Sequence, residues 1–374
     1  MATIEFTTYK DPLWKIISRG LYRLSLLFFV YFFAGKKNET SFPRVFYGGA
    51  RSGNRGGTLV KIQRLQKYFP QKMRRFNTIY LMSNAPYLNH FALREMKARG
   101  ISLVLNQNGV FYSSWFRGDW RAQNARMAKA YHIADHVFWQ SEFCRKSADR
   151  FLGARSQPGE ILYNAIDLCH FTPKSSLKLV HPNGPFIFLL TGKFTKHLYY
   201  RIENAIAGLG MARKNGLEVA LNIAGWVEKP EVITEIATTY ELQNQVHYLG
   251  AYNQEGAPSI YQMADAYLMT KYLDPCPNTV LEAMACGLPV LYSKSGGVTE
   301  LVGDTAGIGI EVCEDWANIH VPSPEQVAGG MFSIMEKRTS FARGARIRSE
   351  KYFDIKKWVA RHEAVFNQLL ERHL

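Results

Sequence analysis

The sequence predicts an α/β protein with two doubly wound domains, each built on a parallel sheet. Apolar runs of strand length alternate with amphipathic segments of helix length, which is the pattern of parallel α/β sheets. At 374 residues the chain is long for one core and sufficient for two. Residues 172–185 hold three prolines, a glycine and few large apolar residues, which is typical of a linker.

Nine segments have the composition of buried strands. Four precede the linker and five follow it, at 44–47, 78–82, 102–105, 137–140, 186–191, 219–223, 246–249, 266–270 and 289–292. A last helix is predicted at about 356–370, from Trp358, Val359, Val365 and Leu369 at near-helical spacing. The predicted domains are therefore 41–177 and 178–355, with a separate segment at 1–40, and ligands are expected at the carboxyl ends of the strands.

Composition limits the partners and the compartment. The five cysteines lie far apart with no C-x-x-C pair, which argues against a zinc site or a disulfide framework and fits a reducing cytosol. A net charge of +15 points to nucleic acid, an anionic membrane or phosphate-bearing substrates. The sequence shows no aromatic RNP strand, zinc finger or basic heptad helix, so we expect no nucleic acid, and membrane and phosphate remain.

The N-terminal segment supplies the argument for a membrane. Residues 24–35 form an apolar run with cations on both sides, namely Lys15, Arg19, Arg23, Lys36 and Lys37. The run is too short to span a bilayer unless arginines are carried in, and no small-residue cleavage site follows it. Residues 13–37 are interpreted either as an in-plane helix on the inner face of the cytoplasmic membrane or as a helix packed on the protein's own core. The first interpretation predicts a cytoplasmic, peripheral membrane protein.

The most informative stretch runs from 272 to 302. It places one acid, Asp274, in a loop after an apolar run and a second, Glu282, in the first turns of a helix. Asn278 is predicted to cap that helix, leaving the next backbone N–H groups, those of Thr279 and Val280, without intrahelical partners. Such a helix end attracts phosphate, and a carboxylate just inside it can accept two sugar hydroxyls. The stretch predicts a site for a sugar attached to a diphosphate.

This stretch resembles the signature of the retaining glycosyltransferases of family 4, the glycosyl transferases group 1, which have the GT-B fold. Their pattern is Glu, seven residues, Glu, then Ala-Met-Ala-Cys-Gly-x-Pro-Val and Gly-Gly-x-x-Glu. Here the first acid is Asp274 and the second is Glu282, so the spacing holds while the first side chain is one methylene shorter. The alternative is a buried helix and strand joined by a Gly-Pro turn.

Other family motifs follow in order over most of the chain after residue 44. They lie at 48–57, 134–142, 163–173, 192–196, 221–225 and 246–250. The resemblance implies two Rossmann-like domains facing across a cleft, with the C-terminal helix 356–374 crossing back to the first. It also implies a retaining transfer from a nucleotide-sugar, UDP- or GDP-linked, held by the second domain.

The resemblance assigns roles to several residues of the second domain. Glu282 would bind the ribose hydroxyls, and Asp274 would act near the transferred sugar, either as a nucleophile or only as a hydrogen-bonding group. Gly225 and Gly250 follow two strands and would admit the donor. No Asp-x-Asp sequence is present to hold a metal on the diphosphate, so no metal cofactor is expected.

Cations are expected to neutralise the leaving diphosphate instead. Lys193 and Lys196 stand where the family has a Gly-Arg…Lys pair, and Arg201, one helical turn further on, could substitute.

The first domain is expected to bind the acceptor. Gly56, Gly57, Arg51 and Arg55 belong to a glycine-rich loop that would contact the diphosphate or a negatively charged acceptor. Asn108 stands where many family members have a histidine, and an amide cannot take a proton at neutral pH. Either the leaving phosphate acts as base, or the acceptor site is arranged differently, or the protein is inactive.

The function expected from these observations is a glycosyltransferase acting on a saccharide or lipid-linked saccharide, in cell-envelope polysaccharide, lipopolysaccharide or glycolipid biosynthesis. The alternative is a catalytically inactive GT-B scaffold or a nucleotide-sugar-binding protein.

Overall fold

The structure is a computed structural model that describes residues 12–35, 42–50, 52–53, 57–85, 87–174 and 183–372. The chain forms two compact units. One, here called the C-terminal unit, comprises Asn164–Ile355, and the other, the N-terminal unit, comprises Thr8–Tyr163 with Lys356–Leu374.

The boundary between the units precedes the proline-rich stretch that indicated a linker. Asn164 Nδ2 donates to the carbonyl of Cys276 at 2.9 Å, and the backbone N–H of Ile166 donates to Phe353 O at 2.7 Å. These bonds tie the chain after Tyr163 to the C-terminal unit, whereas the sequence had placed the boundary at 177/178. Prolines signal where helices and strands stop, but they do not report which core a short segment packs on.

The N-terminal unit is a five-stranded, wholly parallel sheet in the order β1-β2-β3-β4-β5. Its strands are β1 Val45–Phe46, β2 Thr78–Met82, β3 Ser102–Gln107, β4 His136–Trp139 and β5 Gly159–Ile161. Its helices are α1 Leu13–Phe33, α2 Gly57–Tyr68, α3 His90–Ala98, α4 Trp120–Ile133, α5 Glu142–Leu152 and the last helix of the chain, α13 Ile355–Glu371.

The C-terminal unit is a six-stranded parallel sheet in the order β11-β10-β9-β6-β7-β8. Its strands are β6 Phe186–Phe194, β7 Val219–Val227, β8 Val246–Tyr248, β9 Ala266–Met269, β10 Val290–Lys294 and β11 Gly307–Glu311. Its helices are α6 Tyr200–Lys214, α7 Glu231–Thr239, α8 Ala257–Tyr261, α9 Asn278–Ala285, α10 Val298–Val302, α11 Pro324–Glu336 and α12 Arg338–Tyr352, with a 3-10 turn at Lys196–Leu198.

Each of the nine predicted strands is present, within a few residues of its predicted ends. The sequence missed β5 and β11, which are edge strands without a continuous apolar run. In β11 a glycine is required, because a Cβ on Gly307 would lie 1.9 Å from Val290 O. Glycine weakens the apolar pattern by which a strand is read from sequence.

The C-terminal helix belongs to the core of the N-terminal unit. His362 and Phe366 of α13 are fully buried, and His362 Nε2 lies 2.9 Å from the Tyr80 hydroxyl of β2. Burial lowers the pKa of His362 to about 3, which keeps the ring neutral. The core of the N-terminal unit therefore includes α13, which is distant in sequence from its strands.

Helix α1 packs on the N-terminal unit by one face. Leu26 and Val30 are buried, and the Phe29 ring lies 5.3 Å from Phe46 and 6.5 Å from Phe76, centroid to centroid. The Tyr22 hydroxyl donates to Gly49 O at 2.7 Å. This face matches the interpretation of a helix packed on the protein's own core.

The other face of α1 is exposed and apolar. Its exposed large side chains are Leu13, Trp14, Ile16, Ile17, Leu21, Leu24, Phe28, Tyr31, Phe32 and Phe33. By length and composition α1 could cross a membrane, and only 11% of its apolar window is buried. Arg19 and Arg23 lie on the same helix, while Lys36 and Lys37 lie outside the described residues.

Candidate functional site

Glycines shape the carboxyl edge of the C-terminal sheet. Gly225 has φ +116°, and a Cβ there would lie 2.0 Å from Gly192 O, so the ends of β6 and β7 meet backbone to backbone. Gly225 N donates to Gly250 O at 2.8 Å, and the space beside the Gly250 Cα is open. The two glycines singled out in the sequence thus lie together at this edge, where backbone can approach a ligand closely.

Arg201 lies buried beneath this edge. Its side chain is 3% exposed, and Nη2 donates to Thr191 O at 3.2 Å while the guanidinium lies 4.9 Å from the centroid of the Phe194 ring. Within the described part of the chain Nε has no hydrogen-bond partner and no carboxylate lies within 4.0 Å of the guanidinium. A buried cation without a counter-charge is costly, so this position is suited to an anion supplied by a ligand.

The two predicted lysines are exposed near Arg201. Lys193 lies at the end of β6, with Nζ 5.0 Å from the centroid of the Trp226 ring, in a cation–π contact. Lys196 begins the 3-10 turn, and its backbone N–H donates to Glu228 Oε2 at 3.0 Å. The carboxyl end of β6 therefore carries three cations, of which Arg201 is the buried one.

The loop that follows β9 holds the first acid of the predicted motif. Asp274 Oδ2 accepts from Lys271 Nζ at 2.7 Å, and Oδ1 accepts from the backbone N–H of Cys276 at 3.2 Å. The carboxylate thus forms an ion pair and also the turn that an aspartate before proline favours. The backbone N–H of Tyr272 donates to the Tyr200 hydroxyl at 3.0 Å, so the start of α6 adjoins the Asp274 loop. Burial, and then the charge of Lys271, lower the pKa of His197 in the 3-10 turn.

Backbone strain is concentrated beside Asp274. Leu273 has φ +50°, in the left-handed region that residues other than glycine seldom occupy, and it is 2% exposed. A Cβ on Gly296 would lie 2.5 Å from Asp274 O, and Gly297 N donates to the same oxygen at 2.9 Å. The Gly-Gly pair of the motif therefore has a packing reason, which is to let the Asp274 backbone approach.

The amino end of α9 corrects one prediction. Pro277, not Asn278, is the N-cap, and no side chain caps the helix; Asn278 is the first helical residue, and its Oδ1 is buried without a partner among the described residues. Val280 N donates to Pro277 O at 3.1 Å. Pro277 has the extended backbone conformation of an N-cap, and its carbonyl already accepts the N–H of Val280. The donors that a ligand could use at this helix end are therefore the N–H groups of Asn278 and Thr279.

Glu282 lies in a buried cluster of tyrosines. It is 2% exposed; Oε2 accepts from the Tyr261 hydroxyl at 2.7 Å and Oε1 from Gln254 Nε2 at 3.2 Å. Burial, and then the charge of Glu282, raise the pKa of Tyr261 and of Tyr252. The carboxylate does not cap its own helix, and the longer bond to half-buried Gln254 marks its more accessible side.

Hydrogen bonds link Arg201, by way of Thr191, to Tyr267 of β9. Arg201 bonds to the Thr191 carbonyl, and Thr191 Oγ1 lies 2.9 Å from the Tyr267 hydroxyl. Burial raises the pKa of Tyr267, and Arg201, Thr191 and Thr279 oppose that rise. Of the sequence-predicted residues, Arg201, Gly225 and Gly250 lie together at this edge. Glu282 is connected to it through Tyr261, whose ring centroid lies 6.0 Å from that of Tyr267.

Sequence reasoning missed several members of this site. Lys271 stands three residues before Asp274, a spacing that could have suggested an ion pair. No local signal indicated Thr191, Tyr261 or Tyr267, because their contacts join residues far apart in the chain. Within the described ranges no group of three or more His, Cys, Asp or Glu side chains is placed to hold a metal ion.

Asn108 belongs to the N-terminal unit, at the carboxyl end of β3. Its Nδ2 donates to Asn84 Oδ1 at 2.9 Å, and its backbone N–H donates to Ser83 Oγ at 3.0 Å. Of the predicted glycine-rich loop, Arg51, Arg55 and Gly56 lie outside the described residues. Gly57 is described and begins α2.

Part of the C-terminal unit is similar to a known protein family and to named relatives. Residues 172–334 match the family described as Glycosyl transferases group 1. Relatives include a D-inositol 3-phosphate glycosyltransferase of Arthrobacter sp., 24% identical over 163 residues, which are 41% of this chain and 39% of the relative. Another is the O-antigen chain mannosyltransferase B of Escherichia coli, 29% identical over 80 residues, which are 21% of this chain and 20% of the relative. The matched stretches span between 7% and 39% of the curated relatives.

Among solved structures, the chain is similar to Anabaena HepE in complex with UDP and glucose. The TM-score is 0.68 at 15% identity, covering 87% of this chain and 99% of HepE. The predicted fold class, GT-B with two Rossmann-like parallel-sheet domains, is confirmed. Residues 172–334 constitute a glycosyl transferases group 1 domain.

Proposed function

We propose that this protein is a retaining, metal-independent glycosyltransferase that moves a sugar from a UDP- or GDP-linked donor to a saccharide or lipid-linked saccharide. The observation that carries the proposal is the buried guanidinium of Arg201. It lies under the glycine-lined carboxyl edge of a Rossmann-like sheet, bonded to one carbonyl and lacking a carboxylate within 4.0 Å in the described part of the chain. A diphosphate bound at that edge would supply the missing negative charge.

Loss of the nucleotide diphosphate is the step that these cations would assist. As the bond between the sugar and the diphosphate breaks, negative charge grows on the phosphate oxygens. Preorganised donors aimed at such charge are commonly the largest contribution to catalysis. Arg201 would bind the diphosphate from below, and exposed Lys193 and Lys196 would close on it from the solvent side. The N–H groups of Asn278 and Thr279 would add the helix amino end.

The two acids would hold the sugars of the donor. Glu282 would bind the ribose hydroxyls by its more accessible oxygen, Oε1, in exchange for the 3.2 Å bond from Gln254. Asp274 would contact the transferred sugar from a loop fixed by Lys271, Gly296 and Gly297. Because Lys271 already neutralises this carboxylate, we favour a sugar-binding role for Asp274 over a nucleophilic one.

The acceptor and its pathway are proposed from chemistry and from the relatives. The N-terminal unit would bind the acceptor, and residues 51–57 would contribute to that site. Two of the relatives are a D-inositol 3-phosphate glycosyltransferase and an O-antigen chain mannosyltransferase. Together with the exposed apolar helix α1 they favour a role in cell-envelope polysaccharide, lipopolysaccharide or glycolipid synthesis.

A panel of UDP-, GDP- and ADP-sugars, each with EDTA, tests the donor and the absence of a metal. We expect one nucleotide class to raise the free energy of unfolding by about 2.7 kcal/mol at a hundred times its Kd. The same donor should be hydrolysed slowly without acceptor, with net retention seen by NMR of the released sugar. Absence of any thermal response would contradict the proposal. A response without hydrolysis or transfer would favour the inactive binding protein.

The exposed face of α1 is proposed to lie in the surface of an anionic bilayer. An amphipathic helix of this kind buries its apolar face in the headgroup region, and each nearby cation adds about 1 kcal/mol on anionic lipid. Arg19 and Arg23 are four residues apart on α1, and burial, and then the charges of Arg126 and Arg19, lower the pKa of Arg23. The protein would then be peripheral on the cytoplasmic face of the membrane.

Serine substitutions of Ile17, Leu21 and Phe28 together should release the protein from vesicles that contain anionic lipid. The three side chains are 53–62% exposed and are not needed for the buried face, so the folded protein should keep its melting temperature. Co-sedimentation measures the loss. Phe332→Ser, at a 48% exposed phenylalanine of the C-terminal unit, is the control. Unchanged sedimentation of the triple variant would refute the membrane role of α1.

A further inference from the structure

A buried lysine lies at the carboxyl edge of the N-terminal sheet. Lys61 of α2 is 6% exposed, and its Nζ donates to Asn106 Oδ1 at 2.8 Å and to Asn108 Oδ1 at 3.3 Å. Lysine is seldom this buried unless its ammonium has specific partners. The ammonium is thus held against two amide oxygens at the end of β3.

A second donor reaches the same two oxygens. Gln140, which directly follows β4, donates through Nε2 to Asn106 Oδ1 at 2.9 Å and also to Asn108 Oδ1. Both asparagine oxygens therefore face donors from two neighbouring elements. If the Asn108 amide turned over, its NH₂ group would face an ammonium and another NH₂ group, which cannot accept hydrogen bonds. Lys61 and Gln140 consequently fix the orientation of the Asn108 amide.

The fixed orientation turns the nitrogen of Asn108 away from the buried side of the cluster. Its Nδ2 donates to Asn84 Oδ1 at 2.9 Å, and Asn84 is exposed whereas Asn106 is 1% exposed. The Asn108 amide thus directs its oxygen towards the buried Lys61 and its nitrogen towards solvent. This is the edge of a parallel sheet at which ligands bind in doubly wound folds.

We propose that Lys61 is a positioning residue that acts through Asn108. With Gln140 it holds the Asn108 amide so that its N–H group donates to a hydroxyl oxygen of the acceptor saccharide. Lys61 itself does not touch the sugar. The inference rests on the proposed function and deepens it, because it makes this edge a hydrogen-bond donor to the saccharide and not a proton acceptor.

A double-mutant cycle tests this role. Asn108→Ala should lower kcat by about tenfold or more, the effect of one lost hydrogen bond to a reacting group. Lys61→Met should cause a smaller loss in the same direction, because Gln140 alone then holds the Asn108 oxygen. The variant with both changes should be no slower than Asn108→Ala, since residues that act through one another are not additive. Donor-induced thermal stabilisation should stay as in the unaltered protein, because the donor residues lie in the C-terminal unit.

Asn108→Asp supplies a second test that does not depend on how well Lys61→Met folds. An aspartate keeps one oxygen for Lys61 and Gln140, and it replaces the outward N–H by an acceptor. We expect this variant to melt no lower than the unaltered protein, because a carboxylate gains from the ammonium, and to be as slow as Asn108→Ala.

The outcomes separate this inference from the proposed function. If the unaltered protein neither responds to a nucleotide-sugar nor hydrolyses one, the proposed function itself fails. The unaltered protein could transfer sugar while the kcat of the double variant falls by the product of the two single losses. Lys61 would then act independently of Asn108, and the inference is overturned. Full activity of Asn108→Asp would likewise overturn it, because an outward N–H would then be unnecessary.

Discussion

Replacing Arg201 by methionine should at least halve the stabilisation by the nucleotide-sugar, without lowering the stability of the unliganded protein. The methionine removes a buried charge that has no carboxylate within 4.0 Å in the described ranges, and it keeps most of the side-chain volume. Exchange of buried ionic groups for apolar ones of similar size is often neutral or stabilising. Each lost charge-assisted bond to the diphosphate should cost about 1.5–3 kcal/mol, roughly 10- to 150-fold in donor affinity. Denaturant melts with and without donor measure both effects.

The matched control for Arg201 is a second buried arginine of the same unit. Arg338 is 8% exposed, and its Nη2 lies 3.9 Å from Oδ1 of Asp265, which is 1% exposed. Arg338→Met should therefore lower stability, because it removes the cation beside the buried Asp265 carboxylate, which would keep the bond from Ile187 N at 3.0 Å. It should leave the donor response intact. Should Arg201→Met behave like Arg338→Met, Arg201 is a structural residue and the diphosphate assignment is wrong.

Glu282→Gln should remove the protein's preference for a ribose over a deoxyribose nucleotide. The amide keeps the size of the carboxylate, but it offers only one oxygen where the charged group offers two, and it donates where the Tyr261 hydroxyl needs an acceptor. Weakening this buried bond should cost about 1–3 kcal/mol of folding free energy. The preference is measured as the difference in thermal stabilisation between UDP and 2′,3′-dideoxy-UDP, or their guanosine counterparts.

Tyr261→Phe separates the loss of folding stability from the loss of ribose preference that we expect for Glu282→Gln. It removes the 2.7 Å bond to Oε2 and leaves the oxygen that faces Gln254 in place. We expect Tyr261→Phe to lose stability and to keep the ribose preference. An undiminished ribose preference in Glu282→Gln would mean that Glu282 serves only to anchor the tyrosine cluster.

Much of the fold could be predicted because parallel sheets buried on both faces leave a clear signal. Segments such as 78–82 and 186–191 are continuous apolar runs, and every residue of β2 is buried. The edge strands β5 and β11 carry no such run and were missed. β5 is exposed or half-buried along its length, and β11 is interrupted by Gly307 and Gly309, so neither has the continuous apolar pattern of a buried strand.

The site was predictable where one local motif fixes it and not elsewhere. The spacing from Asp274 to Glu282 placed a loop acid and a helix acid correctly in the chain, and Gly225 was placed at a strand end. The predicted N-cap was wrong because Pro277 occupies the N-cap position, so that Asn278 is the first residue of the helix. The burial of Arg201 and the Tyr261–Glu282 bond depend on tertiary packing, which residue spacing does not contain.

The course of the chain through the two units has a consequence for biosynthesis. Among the described residues the C-terminal unit is one continuous segment, Asn164–Ile355. The N-terminal unit instead includes α13, whose His362, Val365 and Phe366 are buried in its interior. On the ribosome, domains usually mature in the order in which they are made. Here the order is reversed, since the unit that is translated first can close only after the last helix has emerged from the exit tunnel.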